Sequence, residues 1–128
     1  MMLCVAGLVF AASGFTLEWQ HSVARTIWWE RWEVTDAGLA PVEARITGAG
    51  AGMEPPPYAR RLADGWHWTP QVSPQPQVLL AASGATGGGW RLCADGRCHD
   101  LPETGAPLRL SLCDPAGRSA ADFTKLQR

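Results

Sequence analysis

From residue 15 to residue 23 the side chains alternate. Phe15, Leu17, Trp19, His21 and Val23 fall on one face, and Thr16, Glu18, Gln20 and Ser22 on the other. That period of two is the signature of a half-buried strand. Residues 28–35 repeat it, setting Trp28, Glu30, Trp32 and Val34 against Trp29, Arg31, Glu33 and Thr35, and residues 39–47 gather Ala40, Val42, Ala44 and Ile46 opposite Pro41, Glu43 and Arg45. Three such strands in succession predict an antiparallel meander. Asp36-Ala37-Gly38 suits a three-residue hairpin with Gly38 left-handed, which pairs Val34 with Ala40 and Trp32 with Val42. A four-residue loop over residues 24–27 pairs Val23 with Trp28, His21 with Glu30, Trp19 with Trp32 and Leu17 with Val34. A one-residue slip would turn a whole core face outward.

In that register one polar pair stands on an apolar face, His21 opposite Glu30. A carboxylate there is costly unless paired, and removing one partner of a buried pair costs about 3 to 5 kcal/mol. Two readings follow: a core pair that fixes the register, or a pocket at the end of the sheet in which Glu30 holds His21 cationic to meet an anion. Ser22 adjoins His21 but projects to the other face, so the two do not form a hydrolase pair from a regular strand.

Residues 48–65 (GAGAGMEPPPYARRLADG) read as a long loop, functional as a lid that brings Arg60 and Arg61 to a carboxylate, or else a solvated connector. GxGxxG is absent from it, which argues against a nucleotide site. Beyond it, residues 66–68, 77–82, 88–94, 97–101 and 108–113 read as further short strands. Asp95-Gly96 is a type I′ hairpin signal that pairs Ala94 with Arg97, Cys93 with Cys98, Leu92 with His99 and Arg91 with Asp100. Cys93 and Cys98 then meet in a non-hydrogen-bonded pair, close enough for a cross-strand disulfide. Cys113 is left as an inert small residue. The fold class is all-β: about eight short antiparallel strands in a small barrel or sandwich, in one domain over residues 15–114. Residues 115–128 form a short helix or a tail.

Composition narrows the classes further. Fourteen Gly and ten Pro in 128 residues interrupt any long helix, and a net charge of -1 leaves no basic excess for nucleic acid. Residues 1–14 (MMLCVAGLVFAASG) carry an apolar run without charge that ends in small residues. They resemble the end of a secretory signal, with a buried first strand as the alternative. Fourteen residues are too few to span a bilayer, which takes about 20. Export would place the cysteines in an oxidising space. Of the seven tryptophans, Trp19, Trp28, Trp32 and Trp90 fall on core faces, which leaves Trp29, Trp66 and Trp68 as exposed platforms. His21, His67 and His99 lack ligand spacing, so neither a metal nor another cofactor is expected.

At His21-Ser22-Val23, followed by Glu30 and by the stretch from Gly48 through Gly52 and Met53, the chain resembles a bacterial family known as domain of unknown function 1850. The resemblance runs from about Phe15 to Leu101. It implies a small exported protein, periplasmic or otherwise outside the cytoplasm, whose gene lies beside those of TAXI-type TRAP transporters, importers of organic acids. It singles out His21, Ser22 and Glu30. Together these features lead to the expectation of a non-enzymatic accessory or binding module for such a transporter or its small anionic substrate, with His21, Ser22, Glu30, Arg60 and Arg61 as ligand-binding residues. The competing classes are an enzyme using His21 and Glu30 as an acid–base pair, and a structural domain in which that pair only fixes the fold.

Overall fold

The computed structural model describes residues 2–21, 26–47, 55–80, 89–103 and 105–118, and for Gln20 and His21 the backbone alone. Eleven strands and no helix occur among them: β1 (Met2–Val5), β2 (Leu8–Phe10), β3 (Gly14–His21), β4 (Thr26–Thr35), β5 (Gly38–Thr47), β6 (Arg60–Leu62), β7 (Gly65–Trp68), β8 (Gln77–Leu80), β9 (Trp90–Ala94), β10 (Arg97–Asp100) and β11 (Leu108–Cys113). The pairings are antiparallel and form a seven-stranded sheet, β10-β9-β3-β4-β5-β7-β6, and a four-stranded one, β2-β1-β11-β8. Neither closes on itself. Of the two architectures expected, the sandwich is the one formed.

The core lies between the sheets. Phe15, Leu17, Trp32, Leu39, Leu92 and Ala94 of the larger sheet meet Leu3, Val5, Leu80, Leu108, Leu110 and Leu112 of the smaller. Each large apolar side chain sealed there is worth about 1.5 to 3 kcal/mol. The smaller sheet draws on residues 2–10: Leu3 and Val5 are buried, β1 pairs with β11, and Ala6-Gly7 turns the chain into β2. Cys4 is bonded to Cys113 across that pairing, 6.0 Å between Cα atoms. This corrects the expectation of a free Cys113. With Cys93–Cys98 accounted for by a hairpin, the even cysteine count pointed to the second pair.

The Asp95-Gly96 hairpin forms as expected. Both residues have positive φ, 54° and 73°, the four predicted pairs are present, and Cys93 is bonded to Cys98. The β3–β4 register differs. Faces are as expected, but the pairing slides by four residues, so His21 lies opposite Thr26, Leu17 opposite Glu30 and Trp19 opposite Trp28. An even slide keeps every side chain on its face, so apolar alternation does not distinguish the two registers. The observed one stacks Phe15 on Trp32, with ring centroids 5.9 Å apart.

Between β4 and β5 the turn is Asp36-Ala37, with Thr35 opposite Gly38 and Val34 opposite Leu39 rather than Ala40. A β-bulge between Arg31 and Trp32 absorbs the extra residue, Val42, so that Trp32 pairs with Pro41 and not with Val42. Beyond it, Glu30 meets Ala44 and Trp28 meets Ile46. The bulge turns Leu39 fully into the core. Gly38 serves a close approach: the Gln75 backbone lies 2.7 Å from where a Cβ would stand, and Leu39 and Gln75 exchange two hydrogen bonds. Residues 114–118 form a turn closed by Gly117 N–H donating to Asp114 O, with the Asp114 carboxylate accepting from Ala116 and Arg118 N–H. The rest of the expected helix or tail, residues 119–128, lies outside the described residues.

Candidate functional site

Residues directly opposite in an antiparallel ladder share a face. The registers therefore draw rows across the inner face of the larger sheet. One row runs Trp90, Trp19, Trp28, Ile46, Trp66, Arg61, and the next runs His99, Leu92, Leu17, Glu30, Ala44, Trp68. Trp32 stands on the same face beside Phe15. Six of the seven tryptophans are thus on one side. Trp66 and Trp68 are half-buried there rather than exposed platforms, because β7 pairs with β5 opposite Ile46 and Ala44. Trp28 meets Trp68 edge-on at 5.6 Å, and Trp19 lies 6.3 Å from Trp90. Trp29, on the outer face, lies under Arg45 at 4.6 Å.

Glu30 sits within this array, between Trp28 and Trp32 on its own strand. Burial pushes its carboxyl up from the ordinary value of 4.5, while the indoles of Trp28 and Trp32 act in the opposite sense. Trp32 Nε1 makes no hydrogen bond within ordinary distance and angle limits. Among the described residues no ion pair reaches Glu30.

A raised carboxyl gives its largest contribution to stability below the ordinary range and loses it as pH climbs through the raised value. Glu30→Gln is accordingly expected to stabilise the fold at pH 7 by about 1 kcal/mol, with the gain vanishing near pH 4. Urea titrations at the two pH values check this, and a variant less stable than wild type at pH 7 would contradict it.

Of the five residues expected to bind ligand, the four within the described residues, His21, Glu30, Arg60 and Arg61, are not brought together by the strand registers. His21 is opposite Thr26 at the end of β3, and its ladder position is four residues from Leu17, the partner of Glu30, about 13 Å along the strand. The expected His21–Glu30 cross-strand pair is therefore not formed. Ser22 lies outside the described residues. Arg60 and Arg61 belong to an edge strand rather than to a loop, and alternation sends them to opposite faces: Arg61 over Trp66 at 5.5 Å, Arg60 opposite His67 on the outer face. The Pro- and Gly-rich flanks hid this three-residue strand.

Arg60 opens onto an outer groove of about 540 Å³ at the β5 bulge, shared with Arg31, Glu43, Tyr58, His67 and Gln71. Glu43 accepts from Arg45 Nη2 at 2.7 Å and from Arg31 Nε at 3.3 Å. Arg45 first, then Arg31, holds its carboxyl below the usual range. Arg60 is exposed and has no ion pair among the described residues. His67 Nε2 is 3.9 Å from Asp64 Oδ1, too long for a hydrogen bond. Among the described residues no three His, Cys, Asp or Glu side chains are grouped to hold a metal ion.

The model of a family described as a domain of unknown function, DUF1850, matches residues 15–101, from β3 through the Cys93–Cys98 hairpin. No curated protein and no solved structure matches the chain.

Proposed function

Because the chain belongs to the DUF1850 family, we propose that it is an exported, non-enzymatic accessory or binding module of a TRAP-type organic-acid transporter, and that it holds a small organic anion in the outer groove at Arg60. Two disulfides suit an oxidising compartment, and among the described residues no helix is long and apolar enough to cross a membrane. The observation that carries the anion reading is the charge balance of the groove. Arg31 and Arg60 line it against one carboxylate, Glu43, which already serves a second guanidinium, Arg45. A planar guanidinium suits bidentate carboxylate recognition. Tyr58 and Gln71 add hydrogen-bonding groups at the rim. Glu30 and Arg61 lie on the other face of the sheet and take no part.

The test is calorimetric titration of the purified protein with succinate. Wild type is expected to bind saturably, and Arg60→Ala to bind about tenfold more weakly or worse, the loss of one charge-assisted hydrogen-bonding group. Absence of succinate binding, or an Arg60→Ala variant that binds like wild type, would overturn the assignment.

A further inference from the structure

We propose that the inner-face tryptophan array around Glu30 is a second binding site, for a small quaternary ammonium ion. Three observations converge. Trp28 and Trp68 meet at an angle, edge to face at 5.6 Å, which is how two walls of an aromatic cage are set. Glu30 stands beside both, next but one to Trp28 along β4 and in the row of Trp68, with only the small Ala44 between them. A half-buried carboxylate with no ion pair among the described residues is a negative charge awaiting a partner.

Chemistry then selects the ligand. Indole faces present the negative side of a quadrupole and attract cations within about 6 Å of the ring centroid. The same face repels anions, and so does Glu30. At the rim of the same array Arg61 already lies 5.5 Å over Trp66, a cation resting on an indole of the row. A primary ammonium would bring three donors that need acceptors. Around Glu30 the ladder neighbours are Leu17, Ala44, Leu92 and Trp68, which offer no side-chain acceptor. A quaternary ammonium has no N–H to satisfy; its methyl groups pack on the rings and its charge is balanced by Glu30.

The titratable and charged groups on this face are few. His21 is placed by its ladder position at the far end of β3, opposite Thr26. Arg61 lies at the β6 edge, and Arg97 and His99 lie on β10. His99 closes the Glu30 row three strands away, about 14 Å. The smaller sheet turns apolar side chains toward this core, among them Phe10, whose ring lies 5.3 Å from His99. Protonation of Glu30 is therefore the event that switches the site.

The probe is tetramethylammonium chloride, followed by tryptophan fluorescence at constant ionic strength, with tert-butanol as an uncharged comparison of similar shape. Wild type is expected to show saturable quenching at pH 7 that weakens as pH falls toward the ordinary carboxylate value of 4.5 and Glu30 takes up its proton. Glu30→Gln is expected to lose about tenfold or more in affinity, to lose the pH dependence, and to keep a folded circular dichroism spectrum. Arg60→Ala is expected to bind the cation as wild type does, so failure here and failure of the anion groove are read from different variants. No saturation, equal binding of tert-butanol, or undiminished binding by Glu30→Gln would each overturn the proposal.

Discussion

Replacing both Cys4 and Cys113 by alanine is expected to lower the unfolding free energy by about 5 kcal/mol. The bond joins residues 109 apart in sequence, and the entropy a cross-link removes from the unfolded chain grows with the logarithm of the loop it closes. A domain of this size has only about 5 to 15 kcal/mol in hand, so the doubly substituted chain should sit near its unfolding midpoint under mild conditions. Cys93–Cys98 closes a separation of only five residues, and its removal should cost about 2 kcal/mol. Urea titration of the two double variants gives the comparison. If the Cys4/Cys113 variant is no less stable than the Cys93/Cys98 one, the terminal bond is not holding the smaller sheet together.

The second large effect is expected at Gly65, the first residue of β7. Its φ is +150°, and a Cβ there would stand 1.8 Å from Ile46 O and 3.1 Å from Thr47 Cα. Both atoms belong to the backbone of β5, the strand on which β7 depends, so no side-chain rotation relieves the overlap. Gly65→Ala should therefore cost about 3 kcal/mol or more. It would also part β7 from β5, taking Trp66, Trp68 and the whole of β6 out of place. Gly96→Ala is the control: its φ is +73° but nothing lies within 4 Å, so only the left-handed backbone cost of about 1 to 2 kcal/mol remains. Near-ultraviolet circular dichroism reports the tryptophan environments, and denaturant midpoints report stability. Equal midpoints for the two variants would refute the steric account.

These features were unevenly legible in the sequence. The Asp95-Gly96 hairpin could be read residue by residue because a two-residue turn with both φ positive leaves one register. Alternation likewise gave the correct faces of β3 and β4, since a period of two is a property of the strand itself. What alternation does not encode is displacement by an even number of residues, and there the expected His21–Glu30 pairing failed. The Val42 bulge was hidden for a related reason: it is an interruption of the period, visible only when both strands are aligned.

Glu30 is legible as out of place on an apolar face, but its neighbours are not. Without the β5–β7 pairing, nothing in Trp66-His67-Trp68 says which side of the sheet the two indoles take. Arg60 and Arg61 stand out as adjacent cations, yet a dipeptide in a strand divides its side chains between two faces. That division puts Arg60 at the groove and Arg61 beside the array, with Trp68 bordering both.

The covalent tie between β1 and β11 also decides how the molecule bears load. Tension applied through the segments before Cys4 and after Cys113 runs directly through the sulfur–sulfur bond. Everything threaded between those two residues, from Val5 to Leu112, is bypassed. Under oxidising conditions the protein behaves as an inextensible link, and only a reductant converts it into one that yields to pulling.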